Sequence, residues 1–233
     1  MWCLPAKANA AYVAAMEDVL AVYERPPDPA YPLVCFDEGR KELHGEVRPP
    51  LPPAPGRPAR MDSEYSRHGS ASLLLWCAPL LGQRGITVTT RRTSQDWARE
   101  MQALVDAPQF AAATKIVLVI DNLNTHTAAS LYETFAPVEA RRIWEKLEVH
   151  YTPKHGSWLN VAEIELSALG RQCLDRRMPD QQTVSAEVAA WVRERNSAQA
   201  HVDWQFTAAD ARIKLKHLYP VFVPALHTSD AIA

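Results

Sequence analysis

Two periods of hydrophobic spacing divide the chain. Over residues 6–24, "AKANAAYVAAMEDVLAVYE", Val13, Met16, Val19, Leu20 and Tyr23 recur at helical intervals, predicting an amphipathic helix. "RPPDPAYP" stops it, because successive prolines lack the amide a helix needs. Strand-length patterns follow. "LVCFDE" (33–38) is apolar and ends in acid, and "KELHGEVR" (41–48) alternates loosely, which predicts a second strand after a tight turn at Gly39. "RPPLPPAPGRP" (48–58) reads as an extended loop of polyproline character. "ASLLLWCAPL" (71–80) and "GITVTTRR" (85–92) read as two more strands around a turn at Gly82.

The period then lengthens. "TSQDWAREMQALVDA" (93–107) opens on Thr93 or Ser94 as a cap and carries Trp97, Met101, Leu104 and Val105 on one face, so a helix is expected. "KIVLVID" (115–121) is apolar throughout between two charges and predicts a buried central strand. "TAASLYETF" and "PVEARRIWEKL" read as helices, and "LEVHYTP" (147–153) as a short strand. Beyond Trp158 the chain is mostly helical, with a stop at Met178-Pro179 and further helices near 183–196 and 207–218. This order predicts an α/β fold with a mixed sheet. The expected organisation is a leading helix and linker (1–30), a main domain (31–220) and a frayed tail (221–233).

Composition changes this picture little. The 233 residues are 47% hydrophobic and 22% charged, as in ordinary globular proteins, with a net charge of −2. No apolar run reaches the roughly 18 residues of a membrane span, and the start lacks a secretory signal pattern. The four cysteines (Cys3, Cys35, Cys77, Cys173) form no CxxC pair and read as reduced core thiols, which suggests a cytoplasmic protein. Charge is unevenly spread. Residues 40–92 hold nine Lys/Arg against four Asp/Glu, whereas 1–39 and 93–140 each hold two against six. One basic surface beside an acidic one is therefore allowed.

Candidate chemistry lies in the acids. Asp37 ends the first apolar strand, Asp121 ends "KIVLVI", and Glu163 or Glu165 follows "LEVHY" by about a dozen residues. If the strands bearing Asp37 and Asp121 are neighbours, both carboxylates project into one crevice beyond the strand ends, where open α/β sheets bind ligands. Such carboxylates repel one another unless a cation lies between them, and hard oxygen donors favour Mg²⁺ or Mn²⁺. An Asp at a strand end is also a common turn former, and Asp121-Asn122 could simply cap the next helix. Two residues apart on a helix, Glu163 and Glu165 point in different directions, so only one of them can face a shared site. Trp158, Ala162, Leu166, Leu169 and Cys173 make an apolar stripe, while Asn160, Glu163, Ser167 and Gly170 make a small, polar face. Glu163 is therefore the expected ligand, and Glu165 is left a structural or supporting role. No G-x-S-x-G elbow, Walker loop or HExxH occurs.

In this order, "VCFDE", "LVIDNLNTH" and "YTPKHGSWLNVAEIE" resemble the catalytic core of mariner-like bacterial insertion-sequence transposases, members of the DDE superfamily with a ribonuclease-H-like fold. The resemblance implies that Asp37, Asp121 and Glu163 are the catalytic acids and together hold two Mg²⁺ or Mn²⁺ ions. Water would cleave at a transposon end, and the freed 3′ hydroxyl would then attack target DNA. Asn122, His126 and Asn160, with Glu165, fall where they could steady the acids. Lys154 and His155 precede the glutamate, and Arg57, Arg60 and Arg67 surround the proline-rich loop, where they could meet DNA phosphates. Arg91 and Arg92 carry the same reading, and Trp158 reads as core. The implied partners are DNA, a second copy of the chain and no membrane. Relatives begin with helix-turn-helix modules, for which one leading helix leaves no room, so a separately encoded recognition half is a further expected partner. Two other functions compete: a catalytically silent fragment that regulates or dimerises with a full transposase, and another ribonuclease-H-like nuclease.

Overall fold

A computed structural model describes residues 4–58, 60 and 62–221. Cys3 and the expected tail over 222–233 lie outside the described residues. Five strands form one mixed sheet in the order β3-β2-β1-β4-β5. β1 (Leu33–Glu46) and β2 (Tyr65–Ala78) pair antiparallel, as do β2 and β3 (Gln83–Thr89), whereas β4 (Ile116–Ile120) lies parallel to β1 and β5 (Leu147–Tyr151) parallel to β4. The all-buried "IVLVI" of β4 occupies an interior position with strands on both sides, as its unbroken apolar run predicts.

Helices cover both faces. On one side α2 (Ser94–Val105), α3 (Ala128–Thr134) and α4 (Pro137–Lys146) bury Trp97, Met101, Leu104, Leu131 and Ile143 against Phe36, Leu118 and Ile120 of the sheet. On the other, α1 (Ala10–Tyr23), α5 (Val161–Gln172) and α7 (Ala208–Lys214) enclose Met16, Leu20, Val161, Ala162 and Ala211 with Cys35, Cys77, Val117 and Val119. A third cluster joins the far half of α5 to α6 (Gln181–Ser197) and the outer part of β1 and β2, through Leu169, Val184, Val188, Leu43 and Leu73. Local signals fix several helix starts. Thr93 and Asp96 form a reciprocal capping box for α2, Pro137 opens α4, and Thr207 and Asp210 cap α7. Cys35 and Cys77 are buried free thiols opposed across β1 and β2, and Cys173 is half-buried and free.

The structure departs from the sequence-based expectation in two strands. The two short strands predicted either side of Gly39 are a single strand, β1, that passes straight through the glycine. A β-carbon on Gly39 would come within 3.0 Å of Leu166 Cδ2, so this glycine gives α5 close access to β1 rather than turning the chain. β2 also starts earlier than the apolar run suggests, because its polar "YSRHGS" pairs with the outer half of β1 in a long hairpin arm. No helix among the described residues is long and apolar enough to cross a membrane.

Candidate active site

Strand register brings the first two acids together. β1 and β4 pair Leu33 with Val117, Val34 with Leu118 and Cys35 with Val119. Continued two residues on, that register would bring Asp37, where β1 has passed the end of β4, beside Asp121, which follows β4, and the charge of Asp121 is felt at Asp37. Side chains alternate along a strand, so both acids share the face of Cys35 and Val119, which is the face covered by α5. Glu163 lies exposed in the first turn of α5, whose start is fixed by Asn160. Asn160 is buried; its Oδ1 accepts from the Ala162 amide at 3.1 Å, capping α5. Its Nδ2 donates to the Phe36 carbonyl at 2.8 Å and to Asp37 Oδ2 at 3.3 Å. One amide side chain thus ties the helix bearing Glu163 to the strand bearing Asp37.

The electrostatics record this convergence. Asp37 is raised to a pKa of about 7: burial is the main cause, the Glu38 amide bonded to its carboxylate works against it, and the charges of Glu163, Asp121 and Glu38 add to it. The site therefore carries more negative charge than it can neutralise, and a cation would relieve it. Asp121 Oδ1 is also buried without a well-angled hydrogen bond. Its close neighbour is His126 Nδ1 at 2.6 Å, an ionic contact with poor angle, and that nitrogen also lies 3.3 Å from the Asp121 carbonyl. His126 Nε2 stands 3.3 Å from Glu38 Oε1. Burial pulls the imidazole down, but Asp121 and Glu38 outweigh it and raise His126 to about 9. Arg92 lies 3.7 Å from the other oxygen of Glu38.

Among the described residues no three His, Cys, Asp or Glu side chains stand close enough to share one ion. A cation would therefore have to draw these carboxylates inward. Donor type and surplus negative charge suit a hard divalent cation, with Asp37, Asp121 and Glu163 as the residues that would then hold it.

The family model for DDE superfamily endonuclease matches residues 32–185, which include all three acids. The chain belongs to this family. A search of the curated proteins found no match. Among solved structures, the Mos1 transposase paired-end complex with left transposon end aligns with a TM-score of 0.58 and 15% identity, over 94% of this chain and 66% of that one. The Mos1 mariner paired end complex with Mn gives a TM-score of 0.55 and 16% identity, over 86% and 61%. This chain therefore spans less than two thirds of the length of either. The catalytic domain of Mos1 mariner transposase gives a TM-score of 0.53 and 12% identity, over 85% of this chain and 96% of that domain. At such identities the likeness concerns the fold, and it is the ribonuclease-H-like fold expected from the motifs.

The other candidate residues of this DDE endonuclease lie at different depths. Glu165, two residues beyond Glu163, is buried and turned away from the crevice. Its carboxylate lies 3.0 Å from Arg84 Nε, an ionic contact without good hydrogen-bond angle, and accepts from Arg195 NH2 at 2.9 Å. Of the two roles open to it, its contacts are those of a packing anchor between α5, β3 and α6. Asn122 is exposed beside Asp121. Lys154 and His155 are exposed in the loop from β5 to α5, and His155 holds a left-handed φ of 65° that side chains rarely adopt. Trp158 is half-buried, donating to the Tyr12 hydroxyl at 2.9 Å and packing edge-on against Phe206. Arg57, Arg60 and Arg67 are exposed on the hairpin arm. Nine strand residues from Asp37 to Glu46 put the far end of that arm roughly 30 Å from the acids. Glu38 was missed as a candidate. It stands in the "VCFDE" motif, but its partner His126 is 88 residues away, and nothing local signals the pair.

Proposed function

We propose that this chain is the catalytic part of a mariner-like DNA transposase, cleaving at transposon ends and joining them to target DNA. The observation that carries the reading is the parallel pairing of β1 and β4, whose register, continued two residues on, would bring Asp37 beside Asp121 near the helix of Glu163. Membership of an endonuclease family and the transposon-end complexes among the structural neighbours support the same reading. Asp37, Asp121 and Glu163 would hold two Mg²⁺ or Mn²⁺ ions, which when bound activate the attacking water or 3′ hydroxyl and stabilise the leaving oxygen. Asn160 keeps Asp37 and the start of α5 in fixed relation, so Glu163 meets the crevice from a set direction. His126 holds one oxygen of Asp121. Lys154 and His155, exposed between β5 and α5, are suited to contact a phosphate of the strand in the crevice. The hairpin-arm arginines Arg57, Arg60 and Arg67 would follow the DNA backbone farther out. Two transposon ends held together imply a homodimer, with DNA-end recognition supplied by a helix-turn-helix half joined to the chain or encoded apart.

The test is nicking of supercoiled plasmid by the full chain in Mg²⁺ or Mn²⁺, beside Asp121→Ala. Wild type is expected to relax the plasmid while the variant loses at least about 10³-fold in rate, the scale of losing a group that stabilises transition-state charge. Equal nicking by the two proteins would overturn the reading.

A further inference from the structure

We propose that Glu38 is a positioning residue: acting through His126, it fixes how the Asp121 carboxylate is presented and so sets the affinity of the site for a divalent cation. This deepens the reading of Asp37, Asp121 and Glu163 as cation ligands and rests on it. Glu38 follows Asp37 in β1, and alternation along the strand sends its side chain to the opposite face of the sheet, where α2 packs. There it is 6% exposed, with Oε1 3.3 Å from His126 Nε2. The other ring nitrogen reaches round the end of the sheet to Asp121, 2.6 Å from Oδ1. A buried chain of Glu38, His126 and Asp121 thus links the two faces of the sheet at the mouth of the crevice.

The middle link has little room to move. The His126 ring is wholly buried, with its centroid 5.5 Å from that of Trp97 and an edge-to-face contact with Phe36 at 5.8 Å. The His126 carbonyl accepts from the Tyr151 hydroxyl at 2.8 Å. With packing fixing the plane and Glu38 fixing one nitrogen, the other nitrogen is held against Asp121, 3.3 Å from its carbonyl and in ionic contact with Oδ1 at 2.6 Å. That leaves the second oxygen of Asp121, in a side chain 32% exposed, free to turn into the crevice. Partners that hold a ligating carboxylate from behind typically contribute 10–100-fold to metal affinity. Glu38 is suited to this task because its carboxylate bonds the ring rather than Asp121 itself, and so governs the group that meets Asp121.

The experiment is calorimetric titration of Mn²⁺ into the metal-free full chain, with a thermal melt of each protein alongside. Glu38→Met keeps the length of the side chain and removes the acceptor. Glu38→Ala, with the same expectation, serves if the methionine variant does not fold. Glu38→Gln keeps an oxygen that accepts from His126. The expected result is Mn²⁺ binding weakened about 10–100-fold in Glu38→Met and Glu38→Ala, and restored to within about threefold of wild type in Glu38→Gln. If Glu38→Met melts lower but binds Mn²⁺ as wild type does, Glu38 is only a packing residue and the inference fails. If wild type takes up no Mn²⁺ at all, the cation reading fails and this inference with it.

Discussion

Asp37 has a folded-state pKa of about 7, far above the usual carboxylate range, because it is largely buried and faces other carboxylates. The sign of the resulting pH dependence follows. The metal-free fold keeps a proton that the unfolded chain releases near pH 4, so stability falls as pH climbs from about 4 through 7 and stays low above it. Asp37→Asn removes the ionisation and keeps the shape. At pH 8 and without metal it is expected to stabilise the protein by about 2 kcal/mol, or about 4–8 °C in Tm, with the gain vanishing near pH 4. Thermal melts at the two pH values measure this. The three candidate acids could be picked out from the sequence because each ends or follows a strongly patterned strand. Asn160 and His126 could be named only through the motif, and Glu38 not at all, since their bonds are made to residues more than 80 positions away.

At the scale of elements, α5 holds two glutamates in opposite surroundings. Glu163 emerges into the crevice, whereas Glu165 is 1% exposed and pairs with Arg84, itself 1% exposed, and with Arg195. Arg84 also bonds Asn196 and the Ala200 carbonyl, so the cluster ties α5 and β3 to the end of α6. Removing one member of a buried ion pair typically costs 3–5 kcal/mol, because the other charge is left stranded. Glu165→Gln is therefore expected to unfold at clearly lower denaturant, by about 3 kcal/mol, while Glu163→Gln stays within about 1 kcal/mol of wild type. Urea titration of both variants decides it; equal losses would contradict the division of roles. The helical pattern put these residues on different faces, as the structure has them, because position on a wheel is local. Gly39 was misread because its meaning depends on Leu166, on a distant helix. The polar start of β2 was missed because it stands largely in solvent, where no apolar alternation marks it.

For the whole molecule, the crossing from the antiparallel half of the sheet (β3-β2-β1) to its parallel half (β1-β4-β5) creates the site. β1 belongs to both halves, carrying Asp37 just past its pairing with β4 and then running on into the long arm with β2. That arm carries Lys41, Arg48, Arg57, Arg60 and Arg67 interspersed with Glu42, Glu46, Asp62 and Glu64, so it is a mixed surface of nearly balanced charge. The central claim is that Asp37, Asp121 and Glu163 act as one cation site, and the melting temperature of the metal-free chain on adding Mg²⁺ tests it most directly. At Mg²⁺ a hundredfold above its Kd, wild type is expected to gain about 2.7 kcal/mol, or about 5–11 °C. Asp37→Asn, Asp121→Asn and Glu163→Gln should each lose most of that rise. A wild-type chain indifferent to Mg²⁺, or variants that gain as much as wild type, would contradict the account.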